Sequence, residues 1–121
     1  MHKFFNPGTF IKIANRVQPF AIGLCVVLFG LGLYFALFAS PADYQQGDSV
    51  RIMYVHVPAA WMALGVYVLM GLSSIGGVIW KNPLSDMITV AAAPIGAGFA
   101  LICLITGSLW GKPIWGTWWV W

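Results

Sequence analysis

Three apolar runs set the limits on what this chain can fold into. Residues 19–39, 57–80 and 87–109 contain no Asp, Glu, Lys, Arg or His, and each reaches the ~20 residues that carry a helix across a hydrocarbon core. Inside a bilayer the backbone finds no water, so every N–H and C=O must be satisfied within the segment, and an open apolar run does this only as a helix. The expected fold is an all-α integral membrane protein with three transmembrane helices. Of the 121 residues, 60% are hydrophobic and 7% charged, against roughly 25% charged in a soluble domain. There is too little polar surface to face water all round.

The nine charged residues fall between or outside the apolar runs: Lys3, Lys12, Arg16, Arg51, Lys81 and Lys112 against Asp43, Asp48 and Asp86. A net charge of +3 spread this way is a topology signal; a nucleic-acid footprint would cluster its basic side chains on one water-facing surface. The first run exceeds the ~7–15 residues of a secretory h-region, and no small-x-small cleavage site precedes Pro41, so it reads as a permanent span. Lys3, Lys12 and Arg16 hold the N-terminus in the cytoplasm by the positive-inside rule. The loop "SPADYQQGDSVR" is then outside, "KNPLSD" inside, and the segment 110–121 outside.

Ion-coupled transport is disfavoured, because such paths need ionisable groups at membrane depth and no internal repeat is present. Ala92, Gly96 and Ala100 form a small-residue stripe suited to close helix approach, and Pro94 should kink the third helix. Cys25 and Cys103, in separate runs with no Cys-x-x-Cys and no His at ligand spacing, read as small buried hydrophobes. The absence of Cys-x-x-Cys-His excludes a covalent c-type haem on this chain. Neither a Gly-rich phosphate loop nor a Ser/His/Asp set is present, so no catalytic constellation is expected.

Two features face the outer side. In "VHVPAAW", Pro58 suits the first turn of a helix, which places His56 at the rim, just ahead of the second span and at the positive end of its dipole. A lone interfacial His can simply tolerate the boundary; a neutral imidazole there can also ligate iron. The closing stretch "WGKPIWGTWWVW" holds five of the seven tryptophans. Trp115, Trp118 and Trp119 recur at the spacing of one helical face, and Gly111, Pro113 and Gly116 suggest a turn followed by a short helix along the membrane surface. Two uses stand side by side: an interfacial belt, or an aromatic platform for a flat ligand such as porphyrin, with His56 for its iron.

The segments "PADYQQGDSVRIMYVHVPAAW", "APIGAGF" and "TGSLWGKPIWGTWWVW" closely resemble the haem exporter protein C (CcmC) family of bacterial cytochrome c maturation, and the likeness runs through nearly the whole chain. The last segment resembles the tryptophan-rich signature of membrane proteins that hand haem to c-type cytochrome assembly. The resemblance implies a multi-pass protein of the bacterial inner membrane that holds haem b, non-covalently and transiently, at the periplasmic surface. It would load that haem onto a periplasmic haem chaperone, beside ATP-binding-cassette subunits and a small membrane subunit of the same system. It further implies His56 as the axial iron ligand and Trp110, Trp115, Trp118, Trp119 and Trp121 as the porphyrin platform. Lys112 is a candidate propionate contact.

In that family the signature continues into an Asp, and about three further spans follow with a second outward-facing His. Here the only other histidine is His2, on the cytoplasmic tail. The chain is therefore expected to be the N-terminal half of a six-helix protein, as a truncated product or a partial sequence. The rival expectation is a structural membrane subunit whose Trp-rich segment anchors or docks a partner and takes no haem.

Overall fold

The computed structural model describes residues 6–120 and contains three long helices. The first, α1, covers Pro7–Tyr34 and runs on into a π-helical turn, Phe35–Ala39. The second, α2, is Val50–Trp80, and the third, α3, is Pro83–Trp115. No β-sheet occurs among the described residues; one isolated bridge joins Asp43 to Gly47 in the first loop.

All three helices, α1 taken with its π-helical turn, are long and apolar enough to cross a membrane, and each so taken contains one of the three apolar runs. Each is also longer than its run. At 1.5 Å per residue, α2 with 31 residues reaches about 46 Å, beyond the ~30 Å of a hydrocarbon core. Lys12, Arg16, Arg51, Asp86 and Lys112 thus ride on helix ends while the runs between them stay uncharged.

Two of the starts are chemically alike. Asn6 and Asn82 each accept a hydrogen bond from the backbone N–H two residues on, Gly8 at 2.9 Å and Leu84 at 3.0 Å, with Pro7 and Pro83 at the first helical position. An Asn cap satisfies one orphan N–H, and proline there has no N–H to strand. Asp86 adds a negative charge to the first turn of α3, where the helix dipole favours it.

The second helix departs from expectation. It begins at Val50, so Pro58 lies well inside it and does not open it. Proline forfeits the bond to the carbonyl four residues earlier, that of Tyr54, and its ring crowds that carbonyl, a gap that membrane helices tolerate. Nothing in residues 50–57 breaks a helix. Pro19 and Pro94 are likewise internal to α1 and α3.

A two-residue turn, Lys81 in the left-handed region at φ 49° followed by Asn82, folds α3 back along α2. The positions least exposed on α2 include His56, Ala59, Ala63, Val66 and Met70; on α3 they include Ala92, Gly96, Phe99, Cys103 and Thr106. Alternating steps of three and four make a heptad-like seam, the period of a left-handed helix pair. Ala59, Val66, Leu84 and Ala92 are its buried apolar residues. At its centre Gly96 lies so close to Val66 that a Cβ would come within 2.9 Å of Cγ1. Ala92 and Gly96 of the small-residue stripe are thus used by α2, and Gly96 and Ala100 both line an apolar groove of about 430 Å³ beside the seam.

Helix α1 buries none of its residues, and its Cys25 is exposed instead of buried as the sequence suggested. Its C-terminal end is held by Arg51. The guanidinium donates to the carbonyls of Leu37 at 3.1 Å and Ser40 at 3.3 Å and pairs with Asp48 at 3.4 Å, so carbonyls left over at the helix end find a cationic donor.

The seam generates a paired prediction. Gly96→Ala should destabilise the α2–α3 pair by about 1–3 kcal/mol through overpacking. Gly98→Ala, where the new methyl meets nothing within 4 Å, should be neutral or stabilising by up to about 1 kcal/mol. Reversible unfolding in mixed micelles measures both.

Candidate functional site

The antiparallel pair brings the start of α2, the end of α3 and the first loop to one end of the molecule. The loop is made rigid by its own sequence: the Asp43 carboxylate accepts from the backbone N–H of Gln45 and Gln46, both at 2.9 Å, and Gly47 takes φ 58° to close the turn. Gln46 then reaches across to α3, its Oε1 accepting from Trp110 Nε1–H at 3.0 Å. The tryptophan segment and the His56 region therefore share one end, as the three-span topology requires.

His56 does not stand ahead of its helix. It lies inside α2, half-buried on the seam, and the dipole argument made from the sequence does not reach it, since that effect fades within the first turn. What holds the ring is α3. His56 Nδ1 is 2.9 Å from Thr106 Oγ1, and that hydroxyl donates to the Ile102 carbonyl at 2.7 Å. Cys103 Sγ lies 3.8 Å from both ring nitrogens. Equal distances put the sulfur on the bisecting plane of the imidazole, away from the in-plane lone-pair direction of either nitrogen. Gly107 completes the socket: a Cβ there would come 3.1 Å from His56 Cε1, so a side chain at 107 would displace the ring.

Gly107 also borders a second hollow. Together with Gly111, Trp115, Thr117, Trp118, Trp119 and Val120 it lines a cavity of about 190 Å³. One glycine is thus a common wall between the imidazole and the tryptophan segment. The expected turn and short surface helix over this segment are not found. Helix α3 runs unbroken through Gly111 and Pro113 to Trp115 and ends at Gly116, φ 79°. Pro113 removes the bond to the Leu109 carbonyl without ending the helix, and Gly111 is buried where the chain folds back, with the Thr117 carbonyl 3.4 Å from where its Cβ would be. Trp115, Trp118 and Trp119 therefore do not share a helical face; the turn-back after Gly116 brings them around one hollow.

Trp110 and Trp115 meet edge to face at 5.0 Å. Trp115, Trp118 and Trp119 are half or more exposed, at 67%, 55% and 50%, so their rings are presented and not consumed in a core. The cavity is smaller than the ~300–1,000 Å³ that encloses a drug-sized ligand; for a flat ligand the segment offers one aromatic wall. Lys112 has a local task. Its Nζ donates to the Gly116 carbonyl at 3.1 Å and lies 5.8 Å over the Trp118 ring, closing the helix end and placing a cation beside the cavity. Trp121 and His2 fall outside the described residues.

Reading the sequence missed Cys103, Thr106 and Gly107 as neighbours of His56, because they are about fifty residues away along the chain. The heptad-like spacing of small and polar residues in the two runs was the available signal.

The family model described as "CcmC: Heme exporter protein C" matches residues 1–121. Curated relatives carry the same description. The chain is 47% identical to the protein of Bradyrhizobium diazoefficiens over 116 residues, covering 96% of this chain and 44% of that protein. It is 44% identical over 121 residues to that of Haemophilus influenzae and 42% identical over 121 residues to that of Escherichia coli K12, in both cases covering all of this chain and 49% of the relative. The chain spans about half the length of these relatives. With three membrane-length helices, a tryptophan-rich end beside a seam histidine, and a match along its whole length, the chain belongs to the heme exporter protein C (CcmC) family.

Proposed function

We propose that this chain forms a haem-holding face in cytochrome c maturation, binding haem b non-covalently at the periplasmic side of the inner membrane and passing it to a haem chaperone. His56 supplies a nitrogen to the iron, and Trp110, Trp115, Trp118, Trp119 and Trp121 receive the porphyrin. Lys112 stands beside the hollow for a propionate. The observation that carries the reading is the shared wall at Gly107, which joins an imidazole held by hydrogen bonding to a hollow walled by three exposed indoles. Iron ligation needs a fixed nitrogen donor and porphyrin needs flat, soft surface. Such an open wall suits a cargo that must leave again, and the role is one of transfer without catalysis. Partners are the haem chaperone, the ATP-binding-cassette and small membrane subunits of the same system, and the lipid bilayer.

The exposure of Trp115, Trp118 and Trp119 also favours the second reading, a belt that anchors this end at the interface. Haem titration separates the two. Replacing each of Trp115, Trp118 and Trp119 by Leu should weaken haem binding by about 2- to 10-fold, an aromatic contact being worth ~0.5–1.5 kcal/mol. Trp80→Leu, at the other end of α2 and exposed, should bind as the unaltered chain does. His56→Ala should shift the Soret band and weaken binding by more than about tenfold, or 1.4 kcal/mol. Affinities in all five variants equal to that of the unaltered chain would leave only the belt.

Orientation is tested separately. A cysteine at the exposed Gln45 should react with a membrane-impermeant maleimide added from the periplasmic side, measured against the unaltered chain, because Lys3, Lys12 and Arg16 retain the N-terminus in the cytoplasm. Reaction only from the cytoplasmic side would invert the topology.

A further inference from the structure

The hydrogen-bond chain on the seam determines which ring nitrogen of His56 can meet a metal. A threonine hydroxyl has one proton to give and lone pairs to accept with. That of Thr106 is committed to the Ile102 carbonyl at 2.7 Å, the shorter of its two carbonyl contacts; the other, to Cys103, is 3.3 Å. At 2.9 Å from the same oxygen, His56 Nδ1 can then bond only by donating, so in the neutral ring, the form that ligates a metal, the proton resides on Nδ1 and Nε2 keeps its lone pair. The contact of Nε2 with Cys103 Sγ, at 3.8 Å, is long and out of line for a hydrogen bond, and it leaves that lone pair uncommitted. Gly107 prevents the ring from being crowded off this position.

We propose that Thr106 is a positioning residue for haem: it passes the His56 Nδ1–H through its own hydroxyl to the Ile102 carbonyl, fixing the tautomer whose Nε2 donates to the iron. The proposal rests on His56 as the iron ligand. A ligating imidazole whose second nitrogen donates to an acceptor is held in orientation and made a stronger base toward the metal. Here the acceptor chain ends in a helix backbone carbonyl, so the ring is oriented by α3 although it belongs to α2.

The experiment uses the whole chain in lipid nanodiscs, with protoporphyrin IX iron as the probe. In the haem-free chain labelled with ¹⁵N-histidine, the His56 signals, assigned by their loss in His56→Ala, should show a protonated Nδ1 and an unprotonated Nε2. Thr106→Val, close in shape but without the acceptor, should mix the tautomers, weaken haem binding by about 10–100-fold and lower the iron–histidine stretching frequency of the ferrous form. Thr106→Ala should do the same without a β-branched side chain, and Thr106→Ser should restore all three readouts. A protonated Nε2 in the unaltered chain overturns the proposal. So does unchanged affinity and stretching frequency in both Thr106→Val and Thr106→Ala while His56→Ala loses haem; that result leaves the proposed function standing. Undiminished haem binding by His56→Ala overturns both, whatever the tautomer.

Discussion

The close approach of α2 and α3 at Gly96 and Val66 is the constraint on which the remaining geometry depends. Lipid tails are as apolar as leucine, so burying apolar surface gives two membrane helices little reason to associate, and they pair where small residues let many atoms touch. Gly96 offers no side chain and Ala59 and Ala92 very small ones, so the helices meet most closely where Gly96 faces Val66. Once the centre is set and the turn at Lys81 and Asn82 ties one end, the register at the other end follows. His56 must meet the stretch of α3 that carries Cys103, Thr106 and Gly107.

The far end of α3 solves a different problem. Helix and aromatic wall are continuous in sequence, and something must stop the helix so that the indoles can gather. Gly116 does so by entering the left-handed region, and Lys112 closes the freed Gly116 carbonyl. Buried Gly111 lets the returning strand of chain lie against the helix. Trp110, on the seam side, is fastened to the first loop through Gln46. A hinge residue, a capping cation and a cross-loop hydrogen bond together hold flat side chains in the open, where a core would have hidden them.

The three helices were legible because a run of about twenty apolar residues has one solution in a bilayer. The ends were less so. Hydropathy reports where lipid is tolerable, not where hydrogen bonding stops, so Val50 and Trp115 lie beyond the runs that announced their helices. The true starts of α1 and α3 lie at Asn-Pro pairs, Asn6 and Asn82, which the sequence reading passed over, whereas Pro58 was read as a start because proline suits a first turn and the apolar run begins beside it. For the site, His56 and the tryptophans were visible by type, but the spacing of Trp115, Trp118 and Trp119 suggested a helical face that the chain reversal at Gly116 replaces with a hollow. Thr106 and Cys103 carry no meaning near His56 until the helices are paired.

Placing the imidazole on the seam makes it sensitive to how the helices lie against each other. A slide of α3 along α2 by one residue is about 1.5 Å, enough to stretch and misalign the 2.9 Å contact between Nδ1 and the Thr106 hydroxyl. The ring therefore works as a gauge of helix register. Any neighbour that leans on this pair far from the tryptophan wall, and shifts it by a single step, thereby loosens the hold of α3 on the ring at the other end.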